Sequence, residues 1–267
     1  YMGAVQWLAA NLKPPSLAAI VTSQTACDFY NGWIWHDGAF ELAFNIAWSI
    51  GPLTLANWNN LSGQLYLPPK QLDLLIEAYD NLWSSYNHTP MLENPTLEGG
   101  FSPYYHDWLG HPNYDEYWEN ISIDESFPEI NIPVFNIGGW YDKFLSGTIL
   151  DFTRLQNSDL ANQTQKLLIG PWVHGSSFDK RAGDTDFGVR ASGTYADIQG
   201  QILQFCDYCL KGDDDNVFNK NPVRIFVMGE NVWRDEKEWP IHGAKTVSYY
   251  LHSNGRANTL NGDGYLD

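Results

Sequence analysis

Apolar side chains over the first eleven residues recur at Val5, Leu8 and Ala9. That i, i+3, i+4 spacing predicts a helix over Met2–Asn11, ended by Pro14 and Pro15. The short apolar run Leu17 to Val21 has the character of a buried parallel strand. From Asp28 to Asn131 the pattern changes. Trp33, Trp35, Phe40, Phe44 and Trp48 cluster on a stretch read as helical, and Leu72, Leu74, Leu75, Ile76 and Leu82 follow on another. Few strand signals intervene, so a helical insertion between two strands is expected. Pro133-Val134-Phe135-Asn136-Ile137 then reads as a strand ending in Gly138-Gly139, followed by a helix over Ser146–Gln156. Lys166-Leu167-Leu168-Ile169 reads as the next strand, ending in Gly170-Pro171, with a helix from Tyr195 to Leu210 after it. Alternating strands and helices mean an α/β fold with parallel pairing and right-handed crossovers. Beyond residue 220 the period becomes two. Val223–Met228 and Val247–Leu251 read as strands of a separate β domain.

With 267 residues and 43% hydrophobic content the chain can bury one large core or two modest ones. A formal charge of −17 repels phosphate backbones, so nucleic acid is not an expected partner. Acidic stretches such as Asp213-Asp214-Asp215 and Asp235, Glu236 and Glu238 read as solvated turns. Three cysteines, Cys27, Cys206 and Cys209, make no disulfide framework; the pair spaced C-x-x-C reads as core-facing thiols. Sequons stand at Asn60, Asn87, Asn120 and Asn162, a pattern that arises often by chance. No run of 18 apolar residues occurs, so no membrane span or membrane partner is expected. Cytoplasmic and secreted locations both stay open. The chain opens Tyr1-Met2-Gly3 on a helix-like stretch, which reads as an internal piece of a longer protein.

Functional groups in an open α/β sheet gather at the carboxyl ends of its strands. Asp142 follows one such end, in Gly138-Gly139-Trp140-Tyr141-Asp142. His174 follows the next, in Gly170-Pro171-Trp172-Val173-His174, 32 residues further on. One crossover helix fits that interval, so the two side chains can meet. A serine hydroxyl needs a base to become a nucleophile; a histidine can take and return its proton. A carboxylate on the second ring nitrogen fixes the tautomer and stabilises the imidazolium. The α/β-hydrolase order is serine, acid, histidine, which puts the serine upstream of Asp142. No G-x-S-x-G occurs in the chain: Ser146, Ser176 and Ser177 lack the pair of flanking glycines a sharp elbow needs, and Ser62 and Ser192 are each followed by Gly with none two residues before. His106 and His111, near Asp107 and Asp115, have neither helix-face nor zinc-motif spacing, so capping and hydrogen bonding are expected of them and no metal.

Tyr1-Met2-Gly3 resembles the tail of G-x-S-Y-x-G, the nucleophile elbow of the cocaine esterase / X-prolyl dipeptidyl-peptidase (CocE/NonD) family. Gly139-Trp140-Tyr141-Asp142-Lys143-Phe144 resembles that family's acid motif, and Lys166 to His174 its histidine motif. His111-Pro112-Asn113-Tyr114-Asp115-Glu116-Tyr117-Trp118 is similar to the end of its helical cap. Val227 to Arg234 and Glu238-Trp239-Pro240 resemble the opening of its jelly roll. The resemblance implies an incomplete α/β-hydrolase core at residues 1–27 and 131–215, a helical cap at 28–130 and the start of a jelly roll at 220–267. It implies Asp142 as triad acid, His174 as general base, and the backbone N–H of Tyr1 as one oxyanion donor beside a serine that precedes residue 1. Trp33, Trp48 and Phe144 then wall the acyl pocket. No cofactor is implied. The partners implied are a small ester, amide or short peptide substrate and a second subunit in a homodimer. Alpha-amino acid ester hydrolases of the family carry extra carboxylates after the acid. Lys143-Phe144-Leu145 stands there instead, which favours an uncharged or aromatic acyl group.

A second reading is a carbohydrate-active or sugar-binding protein, from the wealth of Trp and acids; no isolated acid pair stands out for it. Taken alone, the chain lacks a nucleophile and is expected neither to catalyse acyl transfer nor to cover the outer edge of its sheet.

Overall fold

A computed structural model describes residues 1–58, 69–98, 102–157, 164–212 and 220–267. The Asp213–Asp215 run and the sequons at Asn60 and Asn162 lie outside them. A five-stranded sheet organises the chain: β1 (Ile20–Ser23), β4 (Val134–Tyr141), β5 (Gln165–Val173), β8 (Val223–Val227) and β9 (Val232–Glu236), in that spatial order. The first three pairings are parallel and the last is antiparallel. Between β1 and β4 a two-residue hairpin, β2 (Trp35–His36) with β3 (Ala39–Phe40), begins the helical insertion. A second small hairpin, β6 (Arg181–Ala182) with β7 (Thr185–Asp186), follows β5.

The central strands β4 and β5 are covered on both faces, which is why they read as nearly unbroken apolar runs. On one face Leu167, Ile169, Val223 and Ile225 pack with Phe152, from the crossover helix Leu145–Gln156. On the other, Phe135, Ile137, Leu168 and Trp172 pack with Ile198 and Phe205 of the helix Ile198–Lys211. That helix starts with an Asp197 side-chain cap on Gly200 N–H and ends at Gly212 in the left-handed region. The first helix, α1 (Met2–Asn11), has the expected bounds but a different inner face. Gly3, Ala4, Trp7 and Ala10 are buried, while Val5 and Leu8 stand exposed. Trp7 joins Ile20, Phe127, Val134 and Leu155 beneath the edge strand.

Several expectations are corrected. The stretch from Trp33 to Trp48 is not one helix. Asp37 and Gly38 both take positive φ, +49° and +84°, and turn the chain into the β2–β3 hairpin before a helix begins at Leu42. Gly138-Gly139 and Gly170-Pro171 do not end their strands; β4 continues to Tyr141 and β5 to Val173, with a register shift between Gly139 and Tyr141. Gly139 is required by contact: a Cβ there would stand 2.3 Å from the carbonyl oxygen of Trp172. Val223–Val227 is not a strand of a separate β domain but pairs parallel with β5, Leu167 opposite Val223 and Ile169 opposite Ile225. Its Val223, Ile225 and Phe226 are buried on both sides of the sheet, as an internal strand requires. The strand expected over Val247–Leu251 is confined to Leu251–His252, paired with Tyr265–Leu266.

Candidate active site

The chain leaves β4 at Tyr141 and turns at once: Asp142 N–H donates to Gly139 O, and Leu145 N–H to Asp142 O. This tight turn opens the helix Leu145–Gln156 and holds the Asp142 side chain fully buried. Oδ1 accepts the Phe144 N–H at 2.7 Å, and Oδ2 stands 2.8 Å from His174 Nδ1. A carboxylate oxygen accepts, so the Nδ1 proton belongs to this bond and Nε2 is left as an acceptor. The imidazole is half exposed and rests edge-on to Phe144, ring centroids 5.2 Å apart. Gly175 follows with φ +75°, a turn that suits glycine.

His174 lines a cleft of about 390 Å³ together with Tyr1, Trp33, Phe44, Ala47, Trp48, Pro52, Tyr79 and Phe144. Trp33 stacks on Trp48 at 6.0 Å and meets Phe144 edge-on at 4.8 Å. The five residues expected at the site besides Asp142, namely His174, Tyr1, Trp33, Trp48 and Phe144, thus line one cleft. A second cleft of about 240 Å³ shares Tyr1, Trp33 and Trp48 and is otherwise apolar, with Val5, Leu8, Trp108 and Ile121 in its wall. Its wall carries no histidine or carboxylate among the described residues, whereas the first cleft carries His174. Lys143, next to Asp142 in sequence, donates from Nζ to Trp33 O at 2.6 Å, lies 3.6 Å above the Phe44 ring and stands 3.9 Å from Glu41 Oε2. Burial lowers its pKa to about 8, opposed by Glu41 and Asp142.

Phe44, Ala47, Pro52 and Tyr79 of the cleft wall, and Gln24 beside it, escaped the sequence reading as site residues. Tyr79 comes from the helix Pro69–Asp80 and packs on Gly51, within the π-helical turn Ser49–Leu55. π-Helical turns recur at functional sites. Gln24, at the carboxyl end of β1, bonds the backbone on both sides of His174. A lone glutamine and a lone tyrosine carry no motif, and only the crossing of distant segments brings them to the site. His111 Nδ1 bonds Asp115 Oδ2 at 2.7 Å and His106 Nδ1 lies 3.3 Å from Ser102 O, both within the insertion. Among the described residues no group of three His, Cys, Asp or Glu is arranged to hold a metal ion. Among them too, no helix is long and apolar enough to cross a membrane.

Comparison with known proteins decides the family. The family model of X-Pro dipeptidyl-peptidase (S15 family) matches residues 1–176, both halves of the acid–histidine pair included. The chain belongs to the S15 family. Cocaine esterase of Rhodococcus sp. (strain MB1 Bresler) is 30% identical over 270 residues, which is 100% of this chain and 46% of the esterase. An aminopeptidase structure from a marine sediment Thaumarchaeota archaeon superimposes with a TM-score of 0.65 at 18% identity, over 95% of this chain and 40% of that one. A CocE/NonD family hydrolase of Staphylococcus aureus does so with 0.56 at 16% identity, over 94% and 35%. Both structures share this chain's α/β fold with its mainly parallel sheet. The chain spans about half the length of the cocaine esterase.

Proposed function

We propose that this chain is the acid-and-base part of a serine hydrolase that cleaves esters or amides, X-Pro dipeptidyl bonds among them, through an acyl-enzyme. The observation that carries the reading is the 2.8 Å bond between His174 Nδ1 and the fully buried Asp142, on an imidazole that shares its cleft with Tyr1. The nucleophile is a serine preceding Tyr1 in the longer protein, at the mouth of α1. His174 Nε2 takes the serine proton as Oγ attacks the carbonyl. The oxyanion of the tetrahedral intermediate accepts the Tyr1 N–H. His174 then gives the proton to the leaving group, and water repeats the cycle on the acyl-enzyme. Asp142 holds the tautomer and stabilises the imidazolium.

Trp33, Trp48 and Phe144 wall the acyl pocket, which suits an uncharged or aromatic acyl group, since among the described residues no carboxylate lines the cleft. The substrate is a small ester, amide or short peptide, and the residues of the triad need no cofactor. Residues 28–130 act as a cap over the site, and a C-terminal β domain starts after β9. The outer edge of β1 receives further strands in the longer protein. Fluorophosphonate treatment of the full-length protein is expected to label the residue just before Tyr1, and His174→Ala to abolish the labelling. A folded full-length protein that takes no label there, or that keeps its esterase activity with His174→Ala, overturns the reading.

A further inference from the structure

Gln24 brackets the residue that does the acid–base work. Its amide Nε2 donates to Val173 O at 2.9 Å, and its Oε1 accepts the Gly175 N–H at 2.8 Å. These are the backbone groups on either side of His174. Gln24 is buried, 5% exposed, and its own N–H donates to Ile137 O on the acid strand. Its φ of +49° lies in the left-handed region, uncommon for a side chain of this size. Such backbone outliers persist where the surroundings over-determine them, and they cluster at functional sites. The glutamine therefore ties three strands together: its own β1, the acid strand β4 at Ile137 and the end of the histidine strand β5.

We infer that Gln24 is a positioning residue for His174, acting through both flanking peptide groups to hold the imidazole between Asp142 and the cleft. The inference rests on the proposed hydrolase reading and names a part of that machinery which no motif marks. The peptide groups beside His174 need opposite partners, one donor and one acceptor, and a single primary amide supplies both. A methionine of similar length supplies neither. A glutamic acid supplies both only while protonated.

The test uses the full-length protein and two variants, Gln24→Met and Gln24→Glu. Gln24→Met is expected to lower kcat by about 10²-fold with KM nearly unchanged, as small misplacements of a reacting group do. The far-downfield proton resonance of His174 Nδ1–H is expected to broaden with it. Burial raises the pKa of a carboxyl, so Gln24→Glu keeps a protonated bracket at low pH. Its rate relative to wild type is expected to fall as pH rises through that new pKa. A purely structural glutamine would lower the folded fraction, in Gln24→Glu increasingly as pH rises, but leave kcat per folded molecule at the wild-type value at every pH and the resonance of the folded enzyme sharp. Wild-type kcat and an unchanged resonance in Gln24→Met, or a Gln24→Glu rate ratio flat with pH, overturn the inference. Should Gln24→Met fail to fold, the pH dependence of Gln24→Glu decides alone. The two readings separate cleanly: absence of fluorophosphonate reaction in the wild type strikes at the hydrolase, whereas a reactive wild type with an indifferent Gln24→Met strikes at Gln24 alone.

Discussion

Asp142 presents one oxygen to His174 Nδ1 at 2.8 Å and is held in place through the other, which accepts the Phe144 N–H at 2.7 Å. The second bond makes Asp142→Asn informative. The Phe144 N–H needs an acceptor, so the asparagine carbonyl takes that place and its NH₂ turns toward His174. Nδ1 then accepts instead of donating, and the ring proton moves to Nε2, where a base needs a lone pair. In the full-length protein kcat is expected to fall by about 10⁴-fold, with the fold unchanged by circular dichroism. A loss of less than tenfold would show that the carboxylate does not set the tautomer.

Tyr79 has its seat because residue 51 is glycine. A Cβ at Gly51 would stand 2.4 Å from Tyr79 Cε2. Gly51→Ala is expected to displace the ring, costing about 1–3 kcal/mol by overpacking and changing KM for aromatic esters more than kcat. Tyr79→Phe keeps the shape of the wall and removes the hydroxyl, so its KM is expected to change only for acyl groups bearing a hydrogen-bonding substituent. Melting curves and paired kinetics on substituted and unsubstituted aryl esters check both; an unchanged melting point in Gly51→Ala would mean that the ring moves aside freely.

The strands β1, β4 and β5 were legible as apolar runs between amphipathic crossover helices; Asp142 and His174 were legible as a pair because chain order and strand ends bring them together. The errors have physical sources. Val223–Val227 alternates like a sandwich strand, and nothing local says that its neighbour is β5, more than fifty residues earlier. Asp37-Gly38 is a strong hairpin signal, masked by the surrounding aromatics. In α1 the apolar stripe Val5–Leu8 was conspicuous, yet Trp7 with the small residues Gly3, Ala4 and Ala10 forms the buried face, because close packing on β1 selects small side chains. Gln24 was invisible because its function lies in bonds to residues about 150 positions away.

Gly139 tests the close contact between the acid and histidine strands. An alanine Cβ would meet the Trp172 backbone oxygen at 2.3 Å, and backbone inside a sheet cannot swing aside as a side-chain tip can. Gly139→Ala is expected to lower stability by about 1–3 kcal/mol and, because β4 and β5 carry Asp142 and His174, to reduce kcat as well. Thermal denaturation and turnover measured on the same preparation would show the two effects together; a melting point equal to wild type would deny the contact.

Asp151 supplies the last prediction, one of pH. It is buried, accepts the Cys27 N–H at 3.2 Å, and burial raises its pKa to about 8, against the opposing effects of Cys27 and the Arg154 guanidinium. The folded protein therefore binds a proton here that the unfolded chain releases near pH 4. Folded-state stability from this group is fully present below pH 4 and is lost as pH rises toward 8. The depressed carboxylates Asp115, Glu129, Asp186 and Asp263 act at the acidic end, and Lys143 and Lys166, each lowered to about 8 by burial, act with the opposite sign above pH 8. Asp151→Asn keeps an acceptor for Cys27 N–H and has no proton to lose. The difference in melting temperature, variant minus wild type, is expected to grow steadily from pH 5 to pH 8 in favour of the variant. Denaturation scans at unit pH steps measure it, and a difference that stays constant over that range would mean that Asp151 is ionised in the folded protein throughout.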